Sequence, residues 1–312
     1  MTAAGELRKN PSTPRRRPRS LNRGRGFATI ALAPFLAFLA VFALYPLGEL
    51  VRLAFSDTQI VDGLFVSSSS GFANFAEVWA DPTTQQSVVV TILFIAVTVI
   101  GTVGLGTTLA LLVDRAGWSR ALARNVFVWP AVVAPVVVSL MWLLLLSPTV
   151  GGFNKVLLNW GLPTQSWLNS ESGAFLSVAV VDIWHWTPIV FLFVYAALQG
   201  VSKEVLEAAR MDGATEWQIT MRVVIPMLMP AILVVTLVRL VSSIKAFDEM
   251  YLLTRGGPNG ATNIVSLHIR TLFFDQLEFG TAAALSVSVV AIVLAVVGGA
   301  FFARRISALG IK

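Results

Sequence analysis

The sequence predicts an all-α integral membrane protein with six transmembrane helices, and three observations predict it. First, of 312 residues 56% are hydrophobic and only 13% are charged, about half the charged share of an ordinary soluble domain. Second, the apolar residues gather into six runs, each near the roughly 20 residues that cross a bilayer. Third, the basic residues fall mainly on alternate connections between those runs, as they do when one set of loops stays in the cytoplasm. The chain contains no Cys and two His, which excludes disulfides, thiolate chemistry and a histidine-built metal centre. The net charge of +6 does not imply nucleic acid, because it is distributed by membrane side rather than gathered in one patch.

Residues 1–26 form a basic tail, with Arg8, Lys9, Arg15, Arg16, Arg17, Arg19, Arg23 and Arg25 among Pro11, Pro14 and Pro18. With few apolar residues it has no core to join, and disorder is expected. Its plainest role is to set topology, with attraction to anionic headgroups as a second reading. The apolar run behind it is long and lacks a small-residue cleavage site before Tyr45 and Pro46, unlike a signal peptide. The spans are expected at about 27–50, 88–113, 122–146, 174–198, 227–247 and 281–303. Pro34, Pro130, Pro135 and Pro188 lie within runs, which membrane helices tolerate when neighbours satisfy the freed carbonyls.

Positive charge places both termini, 114–124 and 199–226 in the cytoplasm; the opposite side holds only Arg52, Lys155, Lys245, Arg255 and Arg270. On that outer side lie a Ser-rich loop with an amphipathic piece (Phe72, Phe75, Val78, Trp79), a Trp-bearing loop over 147–173, and the turn-rich run Arg255–Gly260.

The cytoplasmic loop 199–226 is too elaborate for a connector. Ser202 is placed to cap a helix, with Glu204 in its first turn. Glu207, Ala208, Ala209 and Arg210 favour helix, and the two Ala leave a smooth strip for close approach. Gly213 suits the left-handed residue that ends a helix. Thr215 and Gln218 have the spacing of a capping box, so a second helix starts there and runs toward Pro226.

Glu207-Ala208-Ala209, Gly213 and Val223-Val224-Ile225-Pro226 together resemble the EAA loop of bacterial binding-protein-dependent ABC importer permeases. Val223 and Ile225 replace the usual Ile and Leu and stay aliphatic. Resemblance to the sugar-transport branch extends through Trp129-Pro130, Asp182–Pro188, Ala246-Phe247-Asp248, Gly256-Gly257-Pro258 and Ala282–Ser286. It implies a type I importer transmembrane domain over 27–312, in a multi-pass protein of the bacterial inner membrane. It implies a coupling helix in which Glu207 bonds to an ATPase or braces the loop. Ala208 and Ala209 admit close contact, Gly213 turns the chain and Asp212 fixes the turn. It implies four kinds of partner besides the bilayer: a second permease, two cytoplasmic ATPase subunits, an extracytoplasmic solute-binding lipoprotein and a sugar. ATP and Mg2+ then belong to the ATPases, with no cofactor on this chain. Glycerol phosphate is the alternative substrate within the same family.

Ionisable side chains inside a span are candidates for function. Arg239, with Ser242 and Ser243 on the same helical face, leads the candidates for a substrate path. Asp182, His185 and Trp186 in the fourth run and Trp142 in the third join it, beside Trp184. Tryptophan faces stack on sugar rings and polar groups read hydroxyls. Helix packing, or a mutual ion pair of Asp182 with Arg239, is the competing role. Lys245 is spaced to reach Asp248 or Glu249. Two other classes compete with this one. An ion-gradient transporter needs matched halves with midplane ligands, and none is visible. A membrane enzyme needs clustered His or carboxylates. The nearest phosphate-loop pattern, Gly101–Thr108, lacks Lys and lies mid-span, where small residues serve close helix packing.

Overall fold

The computed structural model describes residues 22–115 and 128–309. They divide between Leu50 and Val51 into two units. In the first, α1 (Asn22–Leu39) passes through a π turn (Ala40–Leu44) into α2 (Tyr45–Ala54), whose last turn from Val51 belongs to the second. The helix therefore begins inside the tail expected to be disordered, while residues 1–21 of that tail lie outside the described residues. Over residues 31–47 its apolar side chains, including Phe35, Phe38, Phe42 and Leu44, are exposed. A helix apolar on every face is stable only against hydrocarbon or other protein.

The second unit opens with a feature the sequence reading did not contain, a hairpin of β1 (Ser56–Val61) and β2 (Leu64–Ser69) paired antiparallel. Asp62 and Gly63, at φ of 52° and 77°, make its two-residue turn, for which Asp-Gly is the favoured pair. Next come α3 (Ala73–Ala80), which buries Val78, then α4 (Pro82–Arg115). The third apolar run is not one helix. Helical residues 128–132 stop at Val133, and α5 (Pro135–Leu145) starts afresh. Pro135 causes the break, because a residue before proline is pushed out of the helical region, and Ala134 sits at φ −62°, ψ 140°. Residues 122–127 of that expected span lie outside the described residues.

The chain continues with α6 (Gly152–Asn159) and α7 (Glu171–Leu198), the latter capped by the Ser170 hydroxyl accepting from Gly173 N–H. Then come α8 (Lys203–Met211), α9 (Glu216–Ile219), a π turn (Thr220–Val224) and α10 (Ile225–Ile244). The last elements are α11 (Asp248–Leu253), α12 (Val265–Arg270), a π turn (Thr271–Asp275) and α13 (Phe279–Leu309). Five helices among the described residues are long and apolar enough to span a membrane, and α5 is a shorter apolar helix.

Helix α7 is the post of the second unit. Over half of its most apolar window is buried (56%), against a third or less in every other span. Toward the loop end, Val190, Phe191 and Val194 of α7 pack with Ala110 and Val113 of α4 and with Leu228 and Val235 of α10. Toward the opposite end, Val178 and Val181 meet Phe94 of α4, Val138 of α5, Met250 of α11 and Ile264. Gly101 and Gly106 let α4 approach α7 closely. A Cβ at Gly106 would lie 2.7 Å from Val190 side-chain carbons and 3.0 Å from the Phe191 backbone nitrogen. Gly104 between them has nothing within 4 Å.

Gly106→Leu is therefore expected to force α4 off α7 at a cost of about 1–3 kcal/mol or more, while Gly104→Ala is neutral. Thermal unfolding of the purified protein in detergent checks this, and equal midpoints for the two variants contradict the packing described.

Candidate functional site

Loop 199–226 is built by local rules. Helix α8 ends in a Schellman motif: Gly213 N–H donates to the Arg210 carbonyl (3.0 Å) and Ala214 N–H to the Ala209 carbonyl (3.1 Å). Gly213 has φ +77°, as that motif requires. Thr215 and Gln218 form the full capping box expected of them, opening α9. Ser202 stands at the N-cap position of α8, but its hydroxyl donates to the Glu204 carboxylate instead of accepting from the helix. That bond holds the Glu204 carboxyl below its usual range. Arg210 pairs with Glu216 across the turn at 2.9 Å. Both are more than half exposed, so the pair fixes geometry more than it stabilises.

Leu206, Ala209 and Ala214 face the core. Glu207, Ala208, Asp212 and Gly213 are exposed, together with Met211 (87%) and Trp217 (69%). A thioether and an indole this bare stand out on a loop whose other exposed side chains are mostly polar or small. The loop is anchored to the end of α4. Gln199 donates to Asp114 (3.0 Å), and the Arg115 guanidinium donates to the Thr220 hydroxyl. From Glu216 the helix runs without a break through the π turn to Ile244.

The candidate path residues fall into two groups. In the first, Arg239 and Asp182 are buried to 1% exposure and form an ion pair linking α10 to α7. The guanidinium also lies over the Trp186 ring, 5.0 Å from its centre. Asp182 Oδ1 and Arg239 Nε and Nη1 find no further partner. Ser243 is buried and donates to the Arg239 carbonyl (3.0 Å), while Ser242 donates to the Val238 carbonyl (2.9 Å). One turn along α7, His185 Nδ1 lies 3.3 Å from Glu249 Oε1, and its Nε2 lies 3.3 Å from the Val133 carbonyl left free at the helix break. Glu249 thus serves α7, not Lys245, which is exposed and ends α10. The reach expected of Lys245 assumed a helix that continued past it.

The second group is aromatic. Trp142 stacks on Phe153 (5.7 Å) and meets Trp184 edge-on (5.6 Å). Trp142, Phe153 and Trp167 line an apolar recess of about 400 Å3 on the flank of α7. The structure therefore brings Asp182, Trp186, Arg239 and Ser243 together inside the helix bundle, with His185 beside them, and sets Trp142 apart. Glu249, Met211 and Trp217 were not among the sequence candidates. A carboxylate one residue past Asp248, opposite an intramembrane His185, was the signal for the first.

Residues 102–308 match the family described as binding-protein-dependent transport system inner membrane component. The chain is 28% identical over 267 residues to the trehalose/maltose transport system permease protein MalF of Thermococcus litoralis, covering 85% of this chain and 89% of that one. It is 31% identical to the sn-glycerol-3-phosphate transport system permease protein UgpA of Brucella abortus, with the same shares covered. Among solved structures, it superposes on a chain of a bacterial alginate ABC transporter in complex with an alginate pentasaccharide-bound periplasmic protein. The TM-score is 0.80 at 21% identity, covering 91% of this chain and 96% of that one, a likeness of fold.

Removing one member of the buried ion pair strands the other. Arg239→Met is expected to cost about 3–5 kcal/mol, and Asp182→Leu with Arg239→Met to recover most of it. Denaturant unfolding of the single and double variants measures the cycle, and additive losses contradict direct pairing.

Proposed function

This chain belongs to the binding-protein-dependent transport system inner membrane components, and we propose that it is one permease half of an ATP-driven importer of a di- or oligosaccharide. A second permease supplies the other half. Two ATPase subunits dock from the cytoplasm, binding ATP and Mg2+, and an extracytoplasmic solute-binding protein delivers the sugar. The chain itself is a transport component of the ABC sugar and glycerol-phosphate importer family, not its ATPase.

One observation carries the coupling reading. The pair α8–α9 presents Glu207, Ala208, Met211 and Trp217 outward, closed by a Schellman turn at one end of a continuous helix that carries Arg239 near its other end. Ala208 gives a smooth surface, Ala209 packs toward the core beneath it, and exposed Glu207, beside Arg210, is available to a donor on the ATPase. Asp212 and Gly213 set the turn. The excess of Lys and Arg on this side supports a cytoplasmic loop and cytoplasmic termini. Closure of the ATPases presses on α8, and α10 carries the displacement inward. Because Arg239 holds Asp182, α7 moves with α10, and the path between this bundle and the second permease opens or shuts.

The relatives' names point to trehalose and maltose in one case and glycerol phosphate in the other. A neutral sugar is favoured by the pairing of Arg239. A phosphate ester crossing the midplane calls for unbalanced positive charge, and the Arg239 charge is cancelled by Asp182. In this reading Trp186, Ser242 and Trp142 are the sugar-facing candidates. Asp182, His185, Arg239 and Ser243 shape the path from behind.

Two measurements test this. Proteoliposomes holding the complete complex should take up labelled maltodextrin only with ATP inside, and vanadate should stop it; uptake by this chain alone, without nucleotide, overturns the reading. Gly213→Val places a β-branched residue at φ +77° where nothing lies within 4 Å. The expected strain is about 1–2 kcal/mol or more, confined to the loop. Membrane insertion should persist while ATPase co-purification and uptake fall at least about tenfold, and Gly213→Asn should keep most of both. Full uptake by Gly213→Val refutes the docking geometry.

A further inference from the structure

At the end of the second unit opposite the docking loop lies a polar cavity of about 330 Å3, lined among others by Glu77, Asp81, Thr84, His268, Gln276 and Glu278. The transport reading uses none of these. His268, on α12, is 3% exposed. Its Nε2 lies 2.9 Å from Thr84 Oγ1 and 3.6 Å from Asp81 Oδ2. Asp81 caps α4: Oδ1 accepts from Thr83 N–H (3.2 Å), and Oδ2 accepts from Thr84 N–H (2.8 Å) and the Thr84 hydroxyl (3.0 Å).

Proton counting fixes the direction of this relay. The Thr84 hydroxyl has one proton, and the Asp81 carboxylate can only accept, so that proton points to Asp81. His268 Nε2 must then carry hydrogen and donate to Thr84. A second proton on the imidazole can enter only at Nδ1. The relay fastens segment 254–270 to the head of α4. Three further bonds assist it. Gln86 Nε2 donates to the Asn259 carbonyl (2.9 Å), Asn259 Nδ2 to Glu171 Oε1 (2.8 Å), and Val265 N–H to Thr91 Oγ1 (2.9 Å). Of these fastenings only the first contains a group whose ordinary titration falls near neutrality.

We propose that His268, Thr84 and Asp81 form a proton-sensitive clasp: a neutral imidazole seals segment 254–270 onto α4, and acidification of the medium on that face unseals it. The inference rests on the orientation given under Proposed function, which turns this face outward. The charged groups around His268 are Asp81 at the head of α4, Glu77 on α3, Glu278 before α13, and Arg270 on its own helix. Arg270 is engaged by Asp275 at 2.6 Å. Burial disfavours the imidazolium, against the pull of Asp81 and Glu278, and the balance leaves His268 below its ordinary value of 6.5. Asp81 is held low despite its own desolvation, chiefly by the Thr84 and Thr83 N–H groups, so it stays ionised. The sign follows. In the unsealed segment the imidazole regains its ordinary affinity and binds a proton more readily than in the sealed one. Sealing is therefore complete above about pH 6.5 and weakens as pH falls through the lower sealed value.

The chain has no Cys, which permits a single-cysteine test in the complete complex in native membranes. Val265→Cys, 5% exposed on the clasped segment, is labelled from outside with a membrane-impermeant maleimide between about pH 5 and about pH 7.5. Leu64→Cys on the hairpin tip, 71% exposed, supplies the reference rate at each pH. Normalised labelling of Val265→Cys should rise about threefold or more at the acid end. His268→Gln keeps a donor and cannot titrate, and should abolish the rise. Asp81→Asn removes the attraction for the imidazolium and should move the transition to lower pH. Flat labelling with His268 in place overturns the clasp, as does an undiminished rise in His268→Gln. Failure of outside reagent to reach Leu64→Cys overturns the orientation, and the clasp's exposure to the outer medium with it. Loss of sugar uptake leaves the labelling result standing.

Discussion

A charge inside a bilayer core is tolerated only where the protein supplies its counter-charge, and the Asp182–Arg239 pair meets that condition between two helices. Its consequences spread through the second unit. Helix α10 cannot slide or turn against α7 without exposing two ions to hydrocarbon. Helix α7 is also the surface that α4 approaches through Gly101 and Gly106, and that α11 reaches through Glu249 and His185. The same imidazole takes up the carbonyl of Val133, freed where Pro135 interrupts the third apolar run. A helix break, a histidine, two acids and an arginine thus answer one demand, that no buried charge and no freed carbonyl here be left without a counterpart.

How much of this was legible in the sequence depended on the range of the interaction. Loop 199–226 was readable almost residue by residue, because a left-handed Gly213 and a Thr215–Gln218 box are decided within a few residues of chain. The second, fourth, fifth and sixth apolar runs announced their helices, although the helices outrun the hydrocarbon. Helix α4 begins at Pro82 because Asp81 caps it there, and α10 is prolonged backward through the π turn into α9. The break at Ala134 was also local, and Pro135 was its visible cause. The hairpin was harder, since serines over 67–70 carry no strand signal and only Asp62-Gly63 marked the turn. Side-chain partners across the fold were beyond reach. Glu249 stands one helical step from Lys245 in sequence, yet the chain bends at Lys245 and hands the carboxylate to His185.

The stretch from Glu216 to Ile244 also has a mechanical meaning. Its 29 residues make a rod roughly 40 Å long at the usual helical rise. Each degree of tilt imposed at one end then sweeps the far end through about 0.7 Å, so a small rotation at the loop becomes an ångström-scale displacement at the opposite end of the helix. The π turn sits close to the foot, where a wider winding yields most easily.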